Sequence, residues 1–391
     1  MASKKKLARC YNLEDLRKLA RKRLPAPMYH YMRGGADDEW SLHNNTAAFE
    51  NYELLPRYLV NVEKIDAGVT VLGQELEWPL FLSPTGMSRI FHHDGEVGAV
   101  RAAHRSGTMY SLSTLGSTSI EDVAAASEGP RIFQIYVLRD PGLNREFIER
   151  CREANYSALC LTVDVPVGGN RERDFHTGMT VPPKLTFMSK LDVARHVSWA
   201  YRYLTSGAAE MANFSHRLRD SEDTNLMGYV GRQFDMTVDW DDAARMIEQW
   251  GGPFAIKGVM CAEDARRSVE AGASAVMLSN HGGRQLDGAP APVDLVREVR
   301  DAIGDSAEVI VDGGVRRGTH VLKALALGAT ACSTGRGYLY GFGAGGEAGV
   351  DRALKILRDE VERDLALLGC VRARDLDERY VREVSRKGAR Q

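Results

Sequence analysis

The sequence predicts an α/β protein, a parallel (β/α)8 barrel with a helical segment before it and a long insertion on one face. Eight short, nearly continuous apolar runs recur along the chain, as strands buried on both faces require. Helix-like stretches lie between them, which makes consecutive strands parallel. Eight such units close a barrel rather than leave an open sheet. The 391 residues, 44% hydrophobic and 27% charged, hold ample material for a large core and exclude a disordered chain. A net charge of −2 gives no global pull toward nucleic acid or an anionic membrane.

Residues 1–78 read as an N-terminal cap, in which Leu13–Lys22 is helically periodic and Leu24-Pro25 ends the helix. The barrel, 79–391, opens with the runs Pro79–Thr85, Thr108–Ser113, Arg131–Val137 and Ala158–Asp164. It continues with Pro253–Val259, Ala275–Asn280, Glu308–Gly314 and Ala329–Arg336. Helices are predicted over Glu96–Ser106, Ser119–Ser127, Ala262–Ala271, Pro292–Ile303 and Gly318–Leu327, with Ser119 and Asp122 spaced as a cap. The fourth and fifth runs start 95 residues apart, against 21 to 33 elsewhere. A helix over Trp240–Trp250 fills the end of that gap and leaves 171–235 as an insertion in the fourth βα loop. Long loops on that face are usually functional.

Six cysteines without CxxC spacing point away from zinc or a redox dithiol and toward a reducing compartment, so the expected location is the cytoplasm. The basic start carries no apolar run of a secretory signal, and no stretch is long and apolar enough to span a membrane. Two motifs read as decoys. Gly341-Phe-Gly-Ala-Gly-Gly346 has dinucleotide-loop spacing but follows the last strand. His92-His93-Asp94 could suggest a metal, but adjacent histidines usually diverge, and no metal is expected.

Active-site groups of such barrels gather at the C-terminal ends of the strands. All eight runs end in polar residues: Thr85, Ser113, Gln134 with Tyr136, Thr162 with Asp164, Lys257, Ser279 to His281, Asp312 to Gly314, and Gly335 with Arg336. The last two are Gly-rich turns with Arg316 and Arg336, placed where barrels bind phosphate through backbone N–H groups. His281 is the candidate base, since imidazole is matched to proton transfer near neutral pH, and Asp164 is placed to orient it. Arg284 and Arg171 offer forks for a carboxylate. Lys257, near the end of an apolar strand, needs a negative partner.

Ser279-Asn-His-Gly-Gly-Arg-Gln-Leu-Asp287 resembles the active-site signature of the FMN-dependent L-2-hydroxy acid oxidase and dehydrogenase family. That family includes glycolate oxidase, flavin lactate dehydrogenases and mandelate dehydrogenase. The resemblance runs in order through Leu24-Pro25, Tyr29-His-Tyr31, Ser83-Pro-Thr-Gly86, Gln134-Ile-Tyr136, Leu161-Thr-Val-Asp164 and Arg171-Glu-Arg-Asp174. It continues through Lys257-Gly258 and Asp312-Gly-Gly-Val-Arg-Arg-Gly318 to Gly345-Gly-Glu-Ala-Gly349. Pro84-Thr-Gly86, Asn170–His176 and Met211–Phe214 look most like the mandelate dehydrogenase branch.

The resemblance implies FMN as cofactor and oxidation of a 2-hydroxy acid to the 2-oxo acid. It gives His281 the base, Arg284, Arg171 and Tyr31 the substrate carboxylate, and Tyr136 the substrate hydroxyl. It places Pro84, Thr85, Gly86, Ser113, Gln134, Thr162 and Ser279 around the flavin ring and Lys257 where negative charge develops on it. Asp312 falls on the ribityl chain, and Gly313, Gly314, Arg316, Gly335 and Arg336 at the phosphate. It also implies a homotetramer. Leu115 stands where glycolate oxidase has tryptophan, and Gly86 where the oxidases have alanine. These departures favour an aryl or larger aliphatic acid and an acceptor such as a quinone. The alternative is an oxidase that makes peroxide from lactate or glycolate. A flavin isomerase is disfavoured by His281, Arg284 and Arg171, a set made for oxidising an anion, and a non-enzymatic flavin scaffold would have no use for the whole of Tyr31, Tyr136, Asp164, His281 and Arg284.

Between His176 and Leu218 lie five basic and two acidic residues, with Phe187, Trp199, Tyr201, Tyr203 and Phe214. An active-site lid is the first reading of this stretch. A peripheral contact with the inner face of a membrane through 184–219 is the second.

Overall fold

The computed structural model describes residues 4–180, 183–206, 211–215 and 233–384. Its centre is a closed barrel of eight parallel strands in sequence order. These are β1 (Leu80–Thr85), β2 (Tyr110–Ser113), β3 (Arg131–Ile135), β4 (Ala158–Thr162), β5 (Phe254–Val259), β6 (Ala275–Leu278), β7 (Glu308–Asp312) and β8 (Ala331–Thr334). The last strand closes on the first through Cys332 opposite Leu80 and Thr334 opposite Leu82. The strands are buried along almost their whole length because helices cover the outside and side chains fill the inside.

Every predicted run forms a strand, but most stop short of the predicted C-terminal end. Asp164, His281 and Gly314 lie just past their strands, in turns. The cause is local: Gly313, Gly314 and His281 have φ of 146°, 75° and 56°, which a β-ladder does not accommodate. The helix over Trp240–Trp250 forms as predicted, closed at its start by a reciprocal Asp239–Asp242 capping box. Ser119 accepts a hydrogen bond from the Asp122 amide at 3.0 Å.

The N-terminal segment is more than helical. Leu13–Arg23, Ala26–Arg33 and Trp40–Ala47 are helices, but Tyr52–Leu54 pairs antiparallel with Val381–Glu383 near the far end of the chain. A hairpin, Val69–Val71 with Gln74–Leu76, reaches the strand-start end of the barrel, where the Leu72 amide donates to Glu308 at the beginning of β7. Pairings across some 300 residues leave no periodic signal in either partner.

The glycines of the Gly341–Gly346 motif lie in and at the end of a helix, Arg336–Gly345, that is buried along nearly its whole length. A Cβ on Gly341 would sit 2.2 Å from the Gly349 carbonyl, and one on Gly343 or Gly345 2.8 Å from Leu24 or Leu7. The spacing serves close helix packing against the cap and the following helix, Glu347–Leu368.

Candidate active site

A cavity of about 710 Å³ opens at the C-terminal ends of the strands, between the barrel and the cap. The predicted residues Tyr31, Pro84, Thr85, Gly86, Ser113, Gln134, Tyr136, Thr162, Arg171, Lys257, His281, Arg284, Asp312, Gly313, Gly314, Arg316, Gly335 and Arg336 all line it. Asp164 and Ser279 stand behind its wall. Asp164 touches His281 from there, as the orienting role expected of it requires, whereas Ser279, expected beside the flavin ring, touches Lys257 and Asp312 instead.

His281 is held by two hydrogen bonds. Its Nδ1 lies 2.9 Å from Asp164 Oδ1, and its backbone amide donates to Ser279 Oγ at 3.1 Å. Its left-handed φ of 56° is followed by Gly282 and Gly283 at 67° and 71°. A non-glycine residue in that region is held there by its surroundings, and such strain collects at functional sites. Nδ1–H donates to the carboxylate, which leaves Nε2 as the basic nitrogen. Asp164 is buried, which opposes its ionisation, but His281 and Lys257 outweigh burial and hold its carboxyl below the usual range. Its second oxygen has no partner among the described residues.

Lys257 enters the foot of the cavity, 3% exposed. Its Nζ lies 2.9 Å from Ser279 Oγ and 3.1 Å from Asp312 Oδ2. Asp312 also accepts from Ser83, Ser279 and Ser333 at 2.6 to 2.8 Å. Four donors fill its acceptor positions. Burial opposes this charge too, but Lys257 and the three hydroxyls hold the Asp312 carboxyl down at about 2. Burial works against the ammonium as well, and Asp312 with Asp164 keeps Lys257 above its ordinary value. The buried cation predicted from sequence thus has its partner in the protein. Ser279, expected beside a flavin ring, is fully buried and joins the two charges.

The guanidinium groups of Arg284 and Arg171 lie over the ring of Tyr31, 5.0 and 5.6 Å from its centroid. Arg171 has a partial partner in Asp174 at 3.2 Å. Arg284 donates to the carbonyls of Tyr31 and Gly34, and burial, then Arg171, pull its pKa down. Two cations and a phenol on one wall suit a carboxylate. Tyr136, 8% exposed, is held neutral by burial and packs edge-on against Phe234, centroids 4.9 Å apart.

Arg336 is engaged beyond what the sequence suggests. Its guanidinium donates to the carbonyls of Met32, Gly34 and Gly282 at 2.7 to 3.1 Å, and so clamps the cap onto the barrel. Gly314 is required by the cap as well, since a Cβ there would fall 1.8 Å from the Asn45 carbonyl.

Sequence reasoning missed two groups. One is the apolar wall formed with Leu115 by Met211, Phe234 and Met236. Met211 and Phe234 come from the insertion and Met236 directly follows it, where the chain returns to the barrel as Leu138 bridges Phe234 and the Arg139 amide donates to the Gln233 carbonyl. The other is the set of staples in the 279–287 segment. Asn280 exchanges paired amide hydrogen bonds with Asn45 at 2.7 Å, Gln285 donates to the Asp164 and Val167 carbonyls, and Asp287 accepts from the Trp40 and Ser41 amides. Their polar types were visible, but nothing in one sequence distinguishes a staple from a ligand.

The wall fits FMN. Gln134 Nε2 and Thr162 Oγ1 are buried with no hydrogen-bond partner among the described residues and line the same cavity as Lys257, as the polar edge of a planar ring requires. At the β7 and β8 turns, glycines and two arginines offer donors to a phosphate. The FMN-dependent dehydrogenase family model matches residues 20–383. The chain belongs to that family. It is 39% identical over 387 residues to a putative L-lactate dehydrogenase of Mycobacterium tuberculosis, covering 99% of this chain and 92% of the relative. It is 38% identical to glycolate oxidase 3 of Arabidopsis thaliana, with 95% of each covered. Its structure matches that of the monotopic membrane protein (S)-mandelate dehydrogenase with a TM-score of 0.91 at 36% identity, covering 96% of this chain and 100% of the other. The chain is an FMN-dependent enzyme that oxidises a 2-hydroxy acid. FMN, when bound, supplies the electron acceptor that the side chains lack.

Proposed function

We propose that the substrate is an L-2-hydroxy acid with an aryl or larger aliphatic side chain, and that the electrons pass to a quinone or another acceptor rather than to oxygen. The apolar wall of Leu115, Met211, Phe234 and Met236 carries this reading. It faces the same cavity as Tyr136 and His281 and gives a large side chain somewhere to be buried. Arg171, Arg284 and Tyr31 take the substrate carboxylate. Tyr136 donates to the oxygen on C2, and His281 Nε2 accepts a proton from the substrate. Asp164 stabilises the imidazolium so formed. Pro84, Thr85, Gly86, Ser113, Gln134 and Thr162 hold the flavin ring beside Lys257, which Asp312 and Ser279 keep in place. Gly313, Gly314, Arg316, Gly335 and Arg336 take the phosphate.

Anaerobic bleaching of the flavin band by a panel of L-2-hydroxy acids tests the reading. Faster bleaching by mandelate or a long-chain acid than by lactate or glycolate supports it, and the reverse order refutes it. The glycolate oxidase relatives favour the alternative, an oxidase of small acids. Air readmitted after bleaching separates the two, since rapid reoxidation with peroxide belongs to an oxidase.

The insertion supports a membrane contact as well as a lid. Helices Phe187–Arg195 and Val197–Thr205 leave Phe187, Met188, Val197, Tyr201 and Leu204 between 67% and 80% exposed. Apolar side chains with Lys190, Arg195 and Arg202 on the same short helices suit an anionic membrane surface. No described helix is long and apolar enough to cross one. The remainder of 184–219, at 207–210 and 216–219, lies outside the described residues. Co-sedimentation with anionic vesicles, lost on deleting 184–219, is the expected result. Sedimentation unchanged by the deletion removes the contact.

A further inference from the structure

We propose that a second pocket, apart from the active-site cavity, binds a phosphate group. It is a cavity of about 360 Å³ between the end of helix Leu13–Arg23, the turn after β1 and the two insertion helices. Arg23, Arg89, Arg195 and Arg202 line it with His92 and His93, and among the described residues no aspartate or glutamate does. It shares only Phe91 with the cavity that holds the catalytic groups.

Several side-chain nitrogens of this pocket are unpaired, although Trp199 Nε1 donates to the Ile90 carbonyl. Arg23 Nε, Arg89 Nε, Arg202 Nη1, His92 Nε2 and His93 Nδ1 are all buried without a hydrogen-bond partner among the described residues. His92 as a whole is 6% exposed. Among the described residues, the nearby acids reach the pocket only through its histidines: Asp94 lies 3.5 Å from His93 Nε2, and Asp192 3.8 Å from His196 Nδ1. Asp94 also accepts the Glu347 amide at 2.8 Å and lies 3.2 Å from His92 Nδ1, and Asp192 accepts the Ala26 amide at 2.6 Å. Burial, then Arg202, holds Arg23 below the ordinary arginine value. Converging cations with unpaired buried donors are costly unless an anion completes them. A tetrahedral anion of two charges offers enough acceptors for these donors, and guanidinium groups match it geometrically.

The two histidines do not diverge as expected from sequence. Their rings lie 4.2 Å apart, and with Asp94 they bring three ligand atoms within 4.8 Å of one another. The surrounding guanidinium groups repel a cation there, so the cluster reads as part of the anion pocket.

The phosphate could be a lipid headgroup or a soluble phosphate compound. Only the lipid source rests on the membrane contact proposed above, because Arg195 and Arg202 belong to the helices with the exposed apolar residues. The test uses the full-length, flavin-loaded protein, so that the FMN phosphate site is filled. Inorganic phosphate is titrated by calorimetry at ionic strength held constant with chloride. Saturable binding is expected, weakened roughly tenfold or more by Arg89→Gln and by Arg202→Gln, the range for a lost charge-assisted hydrogen bond. Arg202→Lys, which keeps the charge, should retain more of the binding. Flavin reduction by the hydroxy acid should be unchanged in all three, which also reports that they fold. Phosphatidylglycerol vesicles that displace phosphate, where phosphatidylcholine vesicles do not, identify the lipid source. Phosphate binding untouched by either vesicle identifies the soluble source. Absence of saturable phosphate binding, or binding that Arg89→Gln and Arg202→Gln leave unchanged, overturns the proposal.

Discussion

Replacing Asp164 by asparagine removes one negative charge 2.9 Å from His281 Nδ1 and keeps the volume of the side chain. The wild-type carboxylate is ionised throughout the physiological range, because His281 and Lys257 overcome the cost of its burial. When His281 takes a proton, the imidazolium stands against that carboxylate at a charge separation of about 4 Å. At an effective dielectric constant of about 20 this attraction is worth ~4 kcal/mol. The partly open His281 lets solvent screen some of it, leaving about 3 kcal/mol. At ~1.4 kcal/mol per tenfold, flavin reduction should slow by roughly a hundredfold. Substrate affinity should hold, because Arg171, Arg284 and Tyr31 are untouched. The assay is anaerobic stopped-flow bleaching of the flavin with the best substrate of the panel, over a range of substrate concentration. A rate within about threefold of wild type would refute the pairing as a source of rate. A large rise in the dissociation constant with an unchanged limiting rate would refute the separation of binding from proton transfer.

Three further outcomes are expected. Leu115→Trp refills the apolar wall, and overpacking of about 1–3 kcal/mol should raise KM for mandelate by tenfold or more while glycolate is little affected; equal changes in both would remove the specificity assignment. Asn280→Ala leaves the Asn45 amide without its 2.7 Å partners, and a stranded buried amide costs about 1–3 kcal/mol. Urea midpoints should therefore fall, with the flavin retained in the folded fraction. Asp312, whose folded pKa of about 2 lies below the unfolded value of about 4, contributes stability that is complete above pH ~4 and is lost as pH falls toward ~2. Urea midpoints followed across that window should drop steeply in wild type and stay flatter in Asp312→Asn; parallel curves would contradict the pair with Lys257.

The barrel was legible because its signals are local. Each strand is a short apolar run, several helix starts have a side-chain cap, as at Ser119 and Asp239, and polar strand ends follow from the architecture. His281, Lys257 and Arg284 could be singled out because such residues are conspicuous at the ends of apolar strands. What stayed hidden depends on contacts distant in sequence. Ser279 and Asp312 look like ligands in the chain and form a buried bridge to Lys257 in the fold. Gly314 looks like a phosphate-loop glycine, and the cap's Asn45 demands it as strongly. The His92 and His93 rings come together because the turn after β1 brings both beside Asp94 and packs His92 against Phe342, which the rule that neighbours point apart does not foresee. The apolar wall stayed hidden because Met211, Phe234 and Met236 lie in and just after an insertion without periodicity.

Arg284 and Arg336 line the cavity while donating to the carbonyls of Tyr31, Met32 and Gly34 in the cap. An anion that draws on either guanidinium therefore also acts on the fastening of the first third of a hundred residues. By reciprocity, the energy with which occupancy tightens or loosens that fastening is the energy with which the fastening tunes affinity. The N-terminal segment is in this sense a reporter of what the barrel holds, with no chemistry having taken place.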